Sequence, residues 1–352
     1  MAVSARAARR VPLVLLGCLA LAATGLTGPA AATPAAPITP AGSCFGSTTV
    51  NNVMAAQNWR PLHPAKWEFP GDQVILAERG DNPGPPRRPF EYATLLSGPE
   101  FASVRIDAEV RIDEPVTRND RDVIIIFSWR SDTEFNYAHL SQDNTIYPHN
   151  GIFVVNNADR LRIDDQWLNS NPNIGAEPSI RDTEWHRVRV THCVETGRIE
   201  VFVDDLSKPR MTATSTTLTS GRVGFGSFDN FGRMRNLTVT GTDERDVCGG
   251  RTPTVLGTDR ADALHGTPGD DVINGKGGTD AIAGQGGDDI ICGGDGTDLI
   301  SGGPGDDVIY GGTGRDVISG GSGNDTLHGG PDQDLLSGGS GQNTVDQDGP
   351  AR

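Results

Sequence analysis

A chain of 352 residues with 46 acidic side chains against 30 Lys and Arg carries a formal charge of −16. So acidic a balance argues against nucleic acid as a partner and for cations. Beyond the N-terminus no apolar run approaches the length needed to cross a membrane.

The first 32 residues read as an export signal. Arg6, Arg9 and Arg10 form the positive start, Val11 to Leu26 the apolar run, and Ala30-Ala31-Ala32 a small-residue cleavage site before Thr33. Losing those arginines takes the formal charge to −19. Leu15-Leu16-Gly17-Cys18 resembles a lipoprotein box, which would anchor the chain through Cys18, but the following residues stay apolar. A secreted, extracellular chain is the expectation. Residues 33–43 form a Pro/Ala linker. Cys44, Cys193, Cys248 and Cys292 then remain, an even number that reads as disulfides of open connectivity, without metal-ligand spacing.

Residues 44–247 are long enough for one large core and alternate like strands. Ala102, Val104, Ile106, Ala108, Val110 and Ile112 fall on one face, with Ser103, Arg105, Asp107, Glu109, Arg111 and Asp113 on the other. Asp122 to Trp129 reads as a nearly continuous apolar strand. Shorter ones are expected over 151–155, 160–163, 185–194, 199–203, 221–228 and 234–240, without a convincing helix. Many short strands between Gly, Pro and Asp turns predict a β-sandwich. Trp185-His186-Arg187-Val188-Arg189-Val190, Gly197 to Asp205 and Gly221 to Asp229 resemble the concanavalin-like jelly rolls that include laminin-G modules. That resemblance implies a sugar-binding face or rim.

Aromatic and directional polar residues gather between Trp129 and Asn157, a stretch read as loop. Trp129, Tyr137, His139, His149, Asn150 and Arg160, with Asp229 beyond, are the expected carbohydrate-binding residues, since aromatics stack on sugar rings and the others hydrogen-bond hydroxyls. Trp167 could join them. Asp107 and Glu109 are spaced like the carboxylates of glucanases of this fold, but Arg105 and Arg111 between and beside them read better as a solvated charge ladder. Asp204-Asp205 reads as turn chemistry.

Residues 248–346 are governed by one nine-residue period, and 347–352 are a tail. Asp262, Asp271, Asp280, Asp289, Asp298, Asp307, Asp316, Asp325 and Asp334 stand nine apart, with Asn343 in the tenth place. Two residues after each comes an aliphatic, from Leu264 to Val345. Five residues before each stands a glycine, from Gly257 to Gly338. Glycine-rich turns alternating with strands that point one aliphatic inward predict a solenoid of two units per coil. From Gly257 to Val345, fifteen Asp oppose Arg260, Lys276 and Arg315. Such a rod repels itself without cations, and rows of hard oxygen ligands suit calcium.

Gly302-Gly303-Pro304-Gly305-Asp306-Asp307-Val308-Ile309-Tyr310 resembles the RTX nonapeptide repeat. The resemblance implies a parallel β-roll with calcium at the nine aspartates above, strongest over Asp271 to Asp325. Thr258 and Thr267 stand where glycine is usual. Secreted RTX proteins with cysteines at the places of Cys248 and Cys292 imply that pairing, leaving Cys44 with Cys193; Cys44 with Cys248 is the rival. The expectation is an all-β protein, a concanavalin-like jelly-roll sandwich followed by a parallel β-roll. Its expected function is calcium binding by the roll and extracellular polysaccharide binding by the sandwich. Glycan cleavage and a structural or adhesive surface role are the alternatives.

Overall fold

The computed structural model describes residues 44–349 apart from 47, 83, 85–87, 119, 143–149 and 166–177. The export signal, Cys18, the linker, His149, Trp167 and the last three residues lie outside that set.

The first fold layer is a sandwich of two antiparallel sheets. One sheet has the order Met211–Thr214, Arg198–Val203, His186–Cys193, Phe101–Ile112, Gly232–Asp243, Gln73–Leu76 and Trp67–Glu68, with Thr48–Asn51 also paired to Gly232–Asp243. The other runs Leu161–Arg162, Gly151–Asn156, Glu134–Ser141, Asp122–Ser131, Arg222–Ser227, Glu91–Leu95 and Trp59–Pro61. Val104, Ile106, Val110 and Ile112 meet Val123, Ile125, Phe127 and Leu140 in the core between them. The polar face of Phe101–Ile112 is indeed a charge ladder. Arg105 and Arg189 both hold Asp107 at 2.6 Å, Arg235 holds Glu109 at 2.6 Å and Arg233 holds Asp113 at 2.6 Å. These carboxylates are occupied by arginines.

The seven-stranded sheet is apolar on its outer face too, where Tyr92, Ile124, Ile126, Trp129, Phe135, Tyr137 and Phe153 form a second cluster. That double burial is why Asp122 to Trp129 reads as continuous rather than alternating. The stretch expected as loop between Trp129 and Asn157 contains the strand Glu134–Ser141, so Tyr137 and His139 are neighbours on one strand face.

Residues 255–346 form the solenoid. Parallel strands pair at a step of 18 residues: Ile273 with Ile291, Ile291 with Ile309 and Ile309 with Leu327 in one sheet. In the facing sheet Ile282, Ile300, Ile318 and Leu336 pair in the same way. Two repeats therefore make one coil, and the aliphatics interdigitate in a single row from Ile273 to Leu327, flanked by Val255, Leu264 and Leu336. Val345 departs from the expectation. It is 50% exposed because no further coil covers it.

Both disulfides fall as the resemblance implied, Cys44–Cys193 and Cys248–Cys292. The second ties the start of the roll to its third coil. There Asn274 Nδ2 donates to the carbonyls of Arg245 and Val247 at 2.9 Å each, and Lys276 Nζ meets Asp246 at 2.5 Å.

Candidate functional site

The repeat aspartates divide their two oxygens. Oδ1 of Asp280, Asp289, Asp298, Asp307, Asp316, Asp325 and Asp334 accepts the backbone N–H of the aspartate 18 residues earlier, at 2.8–3.1 Å. Asn343 continues that ladder with its amide oxygen, bonding Asp325 N at 2.8 Å. The other oxygen faces inward. Among the described residues, Oδ2 of Asp280, Asp289, Asp298, Asp307, Asp316 and Asp325 is buried without a hydrogen-bond partner. An orphaned buried carboxylate oxygen is costly, and two ladders of three call for a cation.

The glycine five residues before each aspartate makes the cradle. A methyl group built on Gly311 would lie 2.5 Å from Asp316 Oδ2 and 2.5 Å from the Gly329 carbonyl, and on Gly293 2.5 Å from Asp298 Oδ2 and 2.5 Å from the Gly311 carbonyl. A carboxylate and a carbonyl oxygen from successive coils thus converge on space that only glycine leaves open. The donor set is all hard oxygen, and no three His, Cys, Asp or Glu side chains converge among the described residues, so backbone carbonyls must complete any shell. The residues fit calcium. Burial pushes the carboxyls up: Asp298 and Asp307 to about 6, and Asp316 to about 7. Burial first, then the aspartate one coil away, disfavours their charge.

The end units differ for visible reasons. Asp262 Oδ2 accepts from Thr258 N and Oγ1 at 2.7 and 2.8 Å. Asp271 Oδ2 likewise accepts from Thr267 N at 2.5 Å and Oγ1 at 2.9 Å, while its Oδ1 takes Thr254 Oγ1 at 2.7 Å. Asp334 Oδ2 accepts from Gln347 Nε2 at 2.8 Å. Threonine and glutamine donors thus satisfy Oδ2 in these end units, and the run of buried, unpartnered carboxylate oxygens begins at Asp280 rather than Asp271.

On the sandwich the expected carbohydrate residues separate. His139, Arg160 and Asp229 line one cavity of about 360 Å³, together with Asn82, Phe90, Asp120, Asp122 and Phe228. Phe228 is its platform: His139 stacks on it at 5.0 Å and 14°, Phe90 meets it edge-on at 5.2 Å, and the Arg160 guanidinium lies 4.6 Å over its ring. His139 Nε2 sits 3.3 Å from Asp122, which also accepts from Ser227 Oγ at 2.6 Å and Phe228 N at 3.1 Å. Burial pushes the Asp122 carboxyl up, but His139 and those donors outweigh it and hold the group below its ordinary value. Arg118 bonds Asp120 and Asp229 together, at 2.7 and 2.6 Å. Asp229 is nonetheless raised, by burial and by Asp122, whereas the hydrogen bond from Arg118 lowers Asp120.

Trp129 stands elsewhere. A bulge at Ser128, whose φ is 52°, turns that serine inward to His192 at 3.2 Å and sends the next side chain to the outer face. Trp129 thus lines a second cavity at the opposite end of the same strand, seven residues and roughly 20 Å from Asp122. Tyr137 is fully buried in the outer cluster beneath Arg160, and Asn150 is fully buried with Oδ1 accepting from Ser141 N and Ser179 N, so neither is presented to a ligand. The sequence reading missed Asp120, Asp122, Phe90 and Phe228. An aspartate opening a strand apolar on both faces was the available signal for a rim position.

Residues 256–291, 292–327 and 310–345 match the model of the RTX calcium-binding nonapeptide repeat. This part of the chain is therefore an RTX array of the calcium-binding kind, folded as a β-solenoid of about five turns that follows the antiparallel β-sandwich in the chain. No protein of curated function matches the chain. Similar solved structures include a carbohydrate-binding module, CBM66, from Bacillus subtilis (14% identity, 53% of this chain and 97% of that one, TM-score 0.39). The VIP36 exoplasmic/lumenal domain in a Ca2+/Man3GlcNAc-bound form gives 13% identity, 53% and 84% coverage and a TM-score of 0.35. Winged bean acidic lectin with methyl-alpha-D-galactose gives 11%, 56% and 99%, and 0.38. At these scores they bear on neither ligand nor activity. Among the described residues no helix is long and apolar enough to cross a membrane.

Proposed function

We propose that this is a secreted protein whose roll folds around calcium and whose sandwich binds extracellular carbohydrate in the cavity beside Phe228. The observation that carries the calcium half is the two rows of three buried, unpartnered carboxylate oxygens over glycine cradles, Asp280, Asp298 and Asp316 in one and Asp289, Asp307 and Asp325 in the other. When bound, calcium supplies the positive charge that the acidic coils lack. Asp280, Asp289, Asp298, Asp307, Asp316 and Asp325 would hold it together with glycine carbonyls. The cavity beside Phe228 joins an aromatic platform to carboxylate, amide and guanidinium groups, the mixture that sugar hydroxyls and ring faces require. Far-UV circular dichroism of the whole chain, titrated with calcium and then chelator, tests the first half; unchanged β signal and no saturable calcium uptake would sink it. Calorimetric titration of Phe228→Ala against wild type with a glycan panel tests the second.

Cleavage of the glycan is the second reading, and one observation favours it. Asp120 and Asp229 share a single Arg118 nitrogen, so their oxygens lie at most about 6 Å apart, within the range of hydrolytic carboxylate pairs. The raised Asp229 would donate the proton to the leaving oxygen, and Asp120 would act from the charged side. New reducing ends that vanish in Asp229→Asn would favour cleavage, and their absence across a broad panel would leave binding alone.

A further inference from the structure

The cavity at the Trp129 end of the seven-stranded sheet, about 400 Å³ in volume, is lined by two arginines against one carboxylate. The chain is strongly acidic, and Arg105, Arg189, Arg233 and Arg235 of the sandwich's charge ladder are each held by a carboxylate at 2.6 Å, with Arg111 on Asp113 at 3.0 Å. Arg60 and Arg130 line this cavity, and among the described residues neither makes a direct ion pair, although Arg130 is near enough to Glu100 to pull that carboxyl down against the burial that raises it. Arg60 lies 4.6 Å over the Trp129 ring, which fixes its guanidinium without neutralising it. Arg130 is steered from behind, donating from Nη2 to Ser220 Oγ at 2.7 Å and from Nε to the Ser220 carbonyl at 3.2 Å. Arg88 is near enough to Tyr92 to act on its hydroxyl electrostatically. The one carboxylate in the lining, Asp132, is engaged as acceptor of the Tyr92 hydroxyl at 2.7 Å.

We infer that this cavity is a subsite for the oxyanion of an acidic saccharide, a uronate carboxylate or a sulfate ester, held between Arg60 and Arg130. The inference rests on the carbohydrate reading above and adds the class of sugar. Two oriented guanidiniums match a planar or tetrahedral oxyanion through paired N–H donors. Pro61, Leu62 and Thr94 leave ring-sized, partly apolar room beside them, more than a bare inorganic ion fills.

The test is calorimetric titration of the full chain in millimolar calcium with a hyaluronan hexasaccharide, a neutral chitin hexasaccharide and inorganic sulfate. Arg60→Gln and Arg60→Lys are suitable variants because Arg60 is exposed and makes no ion pair among the described residues. The expected result is hyaluronan bound at least tenfold tighter than chitin, weakened about tenfold by Arg60→Gln, largely kept by Arg60→Lys, and weakened by added salt. Equal affinity for both hexasaccharides with Arg60→Gln silent overturns the subsite and leaves the sugar reading standing. Sulfate bound as tightly as hyaluronan overturns the saccharide assignment. No binding of any probe overturns both.

Discussion

Each central repeat aspartate is asked to do two incompatible things, one oxygen in a neutral backbone ladder and the other buried and bare. The pH dependence follows from that conflict. Asp298 and Asp307 titrate near 6 and Asp316 near 7 in the folded roll, against an ordinary 3.8. A carboxyl raised on folding contributes stability that is full below the ordinary value and is lost as pH rises through the folded one. The metal-free roll should therefore be most stable at or below about pH 4, weaken progressively from there, and level off only above about pH 7. Calcium needs the ionised oxygens, so its affinity should rise over the same window. Thermal unfolding followed by circular dichroism, in chelator and in excess calcium from pH 4.5 to 8, checks both slopes; a metal-free transition that does not fall with pH contradicts the argument. Filling one cradle is the sharper probe. Gly311→Ala puts a methyl between Asp316 Oδ2 and the Gly329 carbonyl, so it should remove that position and lower bound calcium per chain, counted by equilibrium dialysis. An unchanged count would show that the cradle is not a ligand site.

The nine-residue period was legible down to the 18-residue step because a solenoid has no long-range pairing to guess: each coil meets only its neighbours. Its energetic consequence is position-dependent. Ile300, 1% exposed in the middle of the row, should cost about 2–5 kcal/mol when changed to Ala, whereas Val345→Ala, half exposed at the open end, should change stability by less than about 0.5 kcal/mol. Denaturant unfolding of the two variants separates them, and similar losses would mean that the row is not the core of the roll. The sandwich was less legible. Glu134–Ser141 looks like loop because its strand alternates Phe, Asn, Tyr, Ala, His and Leu, with polar Asn136 and aromatic Tyr137 both buried on opposite faces. Trp129 and His139 belong to one cluster only if the stretch between them is loop, and nearness in sequence cannot see the bulge that separates them. The Ser128 bulge exists only in relation to the strand Arg222–Ser227 and to His192, both distant along the chain. The cavity residues that were missed, Phe228 and Asp120, share the rim with His139 through pairings of that long-range kind.

At the scale of the molecule, the roll is built differently on its two faces, and the difference explains how it is held. In one sheet the residues following the buried aliphatics are Asn274, Cys292, Tyr310 and His328; in the other they are Ala283, Ser301, Ser319 and Ser337. Asn274, Cys292 and Tyr310 of the first set lie against the segment that leaves the sandwich. Asn274 bonds its carbonyls, Cys292 its Cys248, and Gly249 lies against Ile290, where a methyl group would come within 2.9 Å of the isoleucine. Closing a 44-residue separation, that disulfide should keep the early coils beside the sandwich when calcium is withdrawn, by an entropic term of about 4 kcal/mol. The sandwich has its own disulfide and its own core. Two thermal transitions are therefore expected, of which only the roll's rises with calcium, by about 2.7 kcal/mol for each site at a free concentration one hundred times its dissociation constant. Asn274→Ala strips two carbonyls of their donor and should lower the roll's transition by about 1–3 kcal/mol in calcium while leaving the sandwich's in place. Scanning calorimetry of that variant decides how tightly the halves are joined. If both transitions fell together, the junction would be transmitting the loss, and the sandwich could no longer be treated as folding apart from the calcium-loaded roll.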